Sequence, residues 1–193
     1  MGWGWLAAAL GGGCVLASEA GVRADQAARI YGELLERLVF RHAFEELGRI
    51  VGRRAAASLV FRTVKASMRE AVHEVLPQHL AATPLDALLL CYRLFALAGQ
   101  EFGYEVENEN TVRVTKCPHF RFTRSNPVAC AACAATKAGA LEALTGKKVA
   151  VKLEDGTWLG PRDAEIVVER TNHMPSGDKY CRFVLHMANP SRG

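Results

Sequence analysis

The hydrophobic pattern changes its period near residue 103, and this change limits the possible folds more than any other feature. In the first half, apolar residues recur every four positions, most strictly at Val60, Val64, Met68, Val72 and Leu76. In the second half, short segments alternate apolar and polar residues, which is typical of β-strands. Helices followed by strands predict an α+β domain.

Local signals mark the ends of the predicted helices. The sequence predicts helices over 24–47, 60–76, 84–102 and 131–144. Pro77 ends the second helix, Thr83 is the expected N-cap of the third with Pro84 at its first position, and Gly146 is the expected C-cap of the fourth. The third helix is apolar nearly all round, so we expect it to be central and buried.

The second half predicts a sheet. Five segments have strand character, at 104–107, 111–116, 149–153, 165–171 and 180–187. Residues 107–110 have the composition of a hairpin turn, and Asp155-Gly156 supplies another turn. The fold prediction is therefore a helical N-terminal layer packed on a roughly five-stranded, mostly antiparallel sheet.

The first 20 residues form an apolar segment that we treat separately. A signal peptide would need a basic start, whereas the first Lys or Arg is Arg23, and Gly11–Gly13 would interrupt a membrane-spanning helix. A lipoprotein site at Cys14 is the alternative to an arm that packs on the domain or on a partner subunit. We therefore expect a cytoplasmic protein with no membrane span. Residues 21–193 form one domain, with a helical half (21–103) and a sheet-rich half (104–188).

Six cysteines are the unusual number in the composition. Without an export signal, thiols are favoured over a disulfide framework. Cys14 and Cys91 lie in apolar runs and are expected to be core residues. The candidates for chemistry follow strands or turns: Cys117, His119, Cys130, Cys133, His173 and Cys181. Three thiolates and an imidazole suit a closed tetrahedral zinc site, and thiolates also suit an iron–sulfur cluster. In the alternative interpretation, the cysteines of Cys-Ala-Ala-Cys are only small residues at a helix start.

Two C-terminal segments resemble a known family. The run AGALEALTGKKVAV and the later run VVERTNHMPSGDKYCRFVL resemble the C-terminal half of 4-vinyl reductase-type domains. The Gly-Asp-x-x-Cys-Arg-Phe motif is present from Gly177 to Phe183. The Cys-Pro-x-Phe run at Cys117 and Glu-Arg-Thr-x-His before Gly177 also resemble the methanogen output domain and the cluster-binding half of iron–sulfur-sensing repressors. The resemblance covers about residues 85–187.

The resemblance implies a dimeric small-molecule-binding domain for apolar or hydrocarbon-like ligands. It implies zinc, or alternatively an iron–sulfur cluster, with candidate ligands Cys117, Cys130, His173 and Cys181. Cys133 or His119 could replace one of these four. Many zinc-binding relatives have a cysteine where this chain has His173, and residues 154–164 resemble an insertion.

The remaining observations rank the possible functions. Leu89, Tyr92 and Phe95 on the third helix could line an apolar ligand site, or could simply fill the core. Phosphate-binding loops, nucleophile elbows and zinc-protease motifs are absent from the sequence, which favours a non-enzymatic binding or sensor domain. A redox role for Cys130 and Cys133 lacks the βαβ setting of thioredoxins.

Glu169 and a stretch of basic residues could each have either a structural or a functional role. Glu169 could orient or replace His173, but a carboxylate on a strand face is favoured. A basic stretch raises the alternative of a transcriptional regulator; it comprises Arg49, Arg53, Arg54, Arg62, Lys65 and Arg69. Such a run is more often a solvated helix face, and a net charge of +4 is mild, so nucleic acid is an unlikely partner.

Overall fold

The structure, a computed structural model, describes residues 24–76, 80–97, 99–100 and 102–188. The described residues fall into two compact units that divide between Leu38 and Val39. Helix α1, Ala24–Arg37, belongs to the first unit. The apolar arm predicted over 1–20 lies outside the described residues, and the single domain over 21–193 stays a prediction.

The helices of the second unit follow the predicted periodicity. A π-helical turn over Leu38–His42 leads into them. They are α2 Ala43–Val51, α3 Arg53–Val75, α4 Pro84–Leu97, α5 Phe120–Thr123 and α6 Cys130–Thr145. Short 3₁₀ turns occur at Pro127–Ala129 and Met174–Ser176.

Three predicted boundary signals are confirmed, whereas α4 ends at Leu97 instead of residue 102 and α3 begins at Arg53 instead of residue 60. The helix α3 ends before Pro77, as the loss of the proline N–H requires. At the start of α4, the Asp86 N–H donates to Thr83 Oγ1 at 3.1 Å and the Thr83 N–H donates to Asp86 Oδ2 at 3.0 Å, a reciprocal capping box. Gly146 ends α6 in the left-handed region at φ 68°, with its N–H donating to the carbonyl of Glu142.

The sheet has six strands in the order β1-β2-β6-β5-β3-β4. They are β1 Gly103–Asn108, β2 Thr111–Lys116, β3 Val149–Lys152, β4 Trp158–Leu159, β5 Ile166–Asn172 and β6 Cys181–Met187. All neighbours pair antiparallel except β3 and β5, which are parallel. The α+β class with a mostly antiparallel sheet is confirmed. The prediction of five strands omitted β4, which is only two residues long.

The most deeply buried helix is α6, whereas α4, which the apolar run predicted to be central and buried, is buried on one face only, at Ala87, Leu88, Cys91 and Tyr92. Alanines and Gly139 let α6 approach α3 so closely that a Cβ added at Gly139 would lie 2.9 Å from Met68 Cβ and 3.1 Å from the Arg69 nitrogen. On α4, by contrast, Leu97 is 85% exposed. Among the described residues, one helical stretch, Pro127–Thr145, has the length and hydropathy of a membrane span, and 72% of it is buried inside the protein.

Candidate functional site

The predicted metal ligands lie at one end of the sheet, because three strand ends meet there. Cys117 follows β2, His173 follows β5, and Cys181 begins β6. Since Val114 of β2 pairs with Cys181 of β6, the end of β2 and the start of β6 lie at the same end of the sheet. Cys130 begins α6. The fold therefore brings Cys117, His173 and Cys181 to one end of the sheet.

A tight turn brings His173 and Cys181 back to one place, as the sequence predicted. The backbone N–H of Met174 donates to Cys181 Sγ at 3.3 Å, and that of His173 donates to Asp178 Oδ2 at 2.6 Å. Gly177, at φ 114°, takes the left-handed conformation that reverses the chain. Burial raises the pKa of the Cys181 thiol, while the bond from Met174 opposes that rise by stabilising negative charge on the sulfur.

The imidazole of His173 is buried and held from one side only. Its Nδ1 lies 2.9 Å from Glu154 Oε1 and 2.8 Å from Ser176 Oγ. Its Nε2 is buried and has no hydrogen-bond partner among the described residues. A carboxylate on one ring nitrogen is the arrangement that orients a metal-ligating histidine, with the other nitrogen facing the metal.

Glu154 is the functional residue that the sequence analysis missed most clearly. It also accepts a bond from Arg170 Nε at 2.6 Å. Burial raises the pKa of Glu154, but hydrogen bonds from His173 and Arg170 outweigh burial and lower that pKa to about 2. The parallel pairing of β3 with β5 brings residue 154 beside the end of β5. No spacing within the sequence signals this pairing, and Glu154 lay in the segment interpreted as an insertion.

Glu169, the carboxylate considered for orienting His173, is a strand-face residue, as the favoured interpretation predicted. Its Oε1 accepts from Lys152 Nζ at 2.8 Å, and its Oε2 lies 2.8 Å from His186 Nε2. Hydrogen bonding to Lys152 is the main cause that lowers the pKa of Glu169. This carboxylate is thereby engaged away from His173.

The thiols near the strand ends are buried and keep their protons. Burial raises the pKa of Cys117, and raises that of Cys130 to about 12, although a hydrogen bond with Thr123 opposes the rise at Cys130. Cys133 lies one turn after Cys130 on α6 and is half-buried. A metal that bound here would displace the thiol protons.

Lys137 is the second residue that sequence reasoning missed, because lysines usually lie at the surface. It is 1% exposed, and its Nζ donates to Cys133 Sγ at 2.8 Å. Burial lowers the pKa of Lys137, but its interactions with Cys133, Tyr92 and Cys91 together outweigh burial and raise that pKa. Aromatic rings surround the ammonium: its Nζ lies 4.7, 5.4 and 5.8 Å from the ring centroids of Phe183, Tyr92 and Phe102.

The predicted ligand-binding residues lie beside this lysine. Tyr92 is fully buried, and its ring stacks on Phe102 at a centroid distance of 4.7 Å. Its hydroxyl has no hydrogen-bond partner among the described residues. Leu89 and Phe95 are half-buried, and the Phe95 ring contacts His119 edge-on at 6.1 Å. Their role in binding a ligand stays a prediction.

His119, a possible replacement ligand, has its ring packed among aromatic side chains. Its ring stacks on Phe40 at a centroid distance of 4.1 Å. Burial lowers the pKa of His119 to about 3, so the imidazole is neutral at pH 7. Its backbone forms a hydrogen bond with Cys117 that opposes the rise in the pKa of that thiol.

The donor chemistry of this region fits a zinc ion. Three thiols and one imidazole form a known tetrahedral ligand set, and the unpartnered Nε2 of His173 is the buried atom that such a metal would satisfy. As the side chains stand, no three His, Cys, Asp or Glu residues in the described ranges are arranged to hold a metal ion. The metal centre with Cys117, Cys130, His173 and Cys181 therefore stays a prediction.

Comparisons with known proteins give no family assignment: no protein-family model matches the chain, and no curated protein sequence matches it. The similarity to 4-vinyl reductase-type domains therefore rests on the motifs quoted above, and it stays a prediction.

Proposed function

We propose that the chain is a small-molecule-binding sensor domain with a structural zinc centre of three cysteines and one histidine. The observation that carries the proposal is the buried imidazole of His173. Glu154 orients its Nδ1, and its Nε2 has no described partner, at the sheet end where the cysteines gather.

The ligands of the zinc centre would be Cys117, Cys130, His173 and Cys181. A bound zinc ion would supply free energy of folding, because these residues lie far apart in the sequence and the ion links them only in the folded chain. Four protein ligands leave no coordination position for a water molecule, so the centre supports a structural role and not hydrolysis.

The small-molecule site would be lined by Leu89, Tyr92 and Phe95. The unsatisfied hydroxyl of Tyr92 favours an apolar ligand that carries one hydrogen-bonding group. Tyr92 also contacts the Lys137 ammonium, which in turn contacts Cys133 in the cysteine cluster. Occupancy of the ligand site could therefore be sensed at the metal centre. The resemblance also supports a homodimer, which size-exclusion chromatography with light scattering would test.

Metal analysis tests the zinc centre. We expect the purified protein to hold one zinc per chain and Cys181→Ser to lose the metal and much of its stability. Cys91→Ser is the matched control, because it removes another buried thiol, on α4 and outside the proposed ligand set. If the wild type holds no metal and Cys181→Ser is as stable as Cys91→Ser, the zinc centre is refuted.

Ligand-induced stabilisation tests the binding site with defined probes. Toluene and benzyl alcohol should both raise the Tm of the wild type, because a ligand that binds only the folded state adds to its stability. Tyr92→Phe should lose the preference for benzyl alcohol, and Leu89→Trp should abolish both shifts by filling the site. If neither probe raises the Tm, or if Leu89→Trp responds like the wild type, the proposal that these residues line a binding site is refuted.

An iron–sulfur redox sensor is the second candidate, and the position of Cys133 favours it. Cys133 lies one turn after Cys130 on α6, and with Cys117, Cys130 and Cys181 it would give the four thiolates that many clusters use. The ammonium of Lys137 would offset part of the negative charge of such a cluster. Anaerobic purification followed by visible spectroscopy decides between the two metals: a colourless protein with stoichiometric zinc eliminates the cluster, and oxygen-sensitive absorbance eliminates zinc.

A further inference from the structure

A second candidate site lies away from the cysteine cluster, in a cleft between α3, the end of α6 and the β4 segment. The cleft has a volume of about 540 Å³, within the range of small-molecule sites. Its aromatic lining residues are Phe61 and Trp158, and its charged ones are Arg62, Lys65, Arg69, Glu142 and Arg162. Four cations therefore face one carboxylate.

The floor of the cleft is electrically neutral because Lys65 and Glu142 neutralise each other. The Lys65 Nζ lies 2.5 Å from Glu142 Oε1, and their side chains are only 12% and 13% exposed. Lys65 also donates to the Val149 carbonyl at 2.7 Å, and the Val149 N–H donates to Glu142 at 3.0 Å. Lys65 is thus a half-buried structural residue, unlike the solvated face predicted for the basic stretch.

The three arginines at the rim keep their charge available. Arg69 Nη1 lies 3.9 Å from Glu142 Oε2, beyond hydrogen-bond distance. Arg62 and Arg162 make no ion pair with any residue in the described part of the chain. With Glu142 committed to Lys65, the rim carries a net charge of about +3, which attracts an anion.

Trp158 gives the cleft a flat aromatic wall of fixed orientation. Its Nε1–H donates to the Pro161 carbonyl at 3.2 Å, and the Arg162 guanidinium lies 5.5 Å from its ring centroid. Gly160, at φ 111°, passes so close to Ala150 that an added Cβ would lie 3.1 Å from the Ala150 Cα. Glycine is favoured at this turn, which follows β4, where Trp158 pairs with Lys152 of β3.

We propose that this cleft binds a phosphorylated aromatic small molecule of the nucleotide type. The planar guanidinium groups of Arg62, Arg69 and Arg162 match phosphate oxygens in paired hydrogen bonds. The indole of Trp158 offers a face on which a base stacks. Both halves of the ligand are needed, because the cations alone would bind any anion and the ring alone any flat molecule. The site is independent of the zinc centre and of the apolar ligand site.

Calorimetric titration tests this site with defined probes. The probes are the four ribonucleoside monophosphates, inorganic phosphate and adenosine. We expect at least one monophosphate to bind about tenfold or more tightly than phosphate and adenosine, and binding to weaken as salt is added. Arg62→Ala/Arg162→Ala should weaken monophosphate binding at least about tenfold, and Trp158→Ala should remove the preference over phosphate.

The matched control is Arg93→Ala, which removes an exposed arginine on α4, outside the cleft lining. It should bind like the wild type, and circular dichroism establishes that every variant is folded. Equal affinity of the monophosphates, phosphate and adenosine overturns the proposal, as does wild-type binding by the double arginine variant. Tighter binding of a DNA oligonucleotide than of every monophosphate would also overturn it, in favour of a nucleic-acid surface.

Discussion

Gly139 gives the sharpest test of how the helical layer packs. In isolation, Gly→Ala inside a helix stabilises by about 1 kcal/mol, because alanine loses less conformational freedom than glycine on folding. At Gly139 the new methyl group would face α3 instead of solvent. It would lie 2.9 Å from Met68 Cβ, 3.1 Å from the Arg69 nitrogen, and closer still to the Lys65 carbonyl oxygen.

These contacts determine how much stability Gly139→Ala should lose. Two of the three atoms belong to the backbone of α3, so they cannot rotate away, and α6 must move off α3. Overpacking of this kind costs about 1–3 kcal/mol, and contact with backbone puts Gly139→Ala at the upper end of that range. After subtracting the gain in helix propensity, we expect a net loss of about 2 kcal/mol. That loss corresponds to a fall in Tm of about 4–8 °C.

Urea unfolding followed by circular dichroism measures this free energy. Gly48→Ala in α2 is the matched control, since its Cβ would meet only Arg53 Cγ, at 3.9 Å. We expect Gly48→Ala to be as stable as the wild type or up to about 1 kcal/mol more stable. If Gly139→Ala behaves like Gly48→Ala, with an unchanged m value, the close contact of α3 and α6 is refuted.

Three other predictions concern the buried charged groups. The pKa of Glu154 is lowered in the folded state, so the wild type should be more stable than Glu154→Gln above about pH 4.5, and this difference should vanish as the pH falls towards 2. Unfolding curves at several pH values measure the difference, and a value that does not change with pH would contradict the prediction. The pKa of His119 is also lowered in the folded state, so on acidification the unfolded chain takes up a proton at this imidazole before the folded chain does. The wild type should therefore lose stability as the pH falls from about 6.5 to 3, and His119→Phe should lose less over the same range. Cys133→Ala should destabilise the wild type more than it destabilises Lys137→Met, because it removes the sulfur to which the buried ammonium donates at 2.8 Å. We expect a coupling of about 1–3 kcal/mol in a double-mutant cycle, and additive effects would refute the pair.

Local signals in the sequence were sufficient for three helix boundaries and most of the sheet, but not for the end of α4 at Leu97. Pro77 and Gly146 act through their own backbone and Thr83 through its side-chain hydroxyl, so these signals can be predicted from the local sequence. The depth of each helix was harder to predict. Alanine and glycine in α6 carry little hydrophobic signal. Their small side chains instead let α6 pack closely against α3, as at Gly139.

The candidate site was predicted in part. The strand ends bring Cys117, His173 and Cys181 to one end of the sheet, and the turn between β5 and β6 had indicated this for His173 and Cys181. Glu154 and Lys137 could not be found in this way. The contact of Glu154 with His173 depends on the parallel pairing of β3 with β5, and a charged residue is buried only when the tertiary fold supplies its partner.

The strand order also has a consequence for the folding kinetics. The β1–β2 hairpin forms from residues that are neighbours in the sequence. Strand β2 also pairs with β6, where Thr111 lies opposite Val184. Closing so long a loop has an entropic cost that short-range contacts avoid, so non-local pairing of this kind slows folding. We therefore expect the pairing of β2 with β6, which joins the strands next to Cys117 and Cys181, to form after the hairpin and the helices. In that order of folding, these two cysteines would stay accessible to solvent and oxidants until β6 joins the sheet.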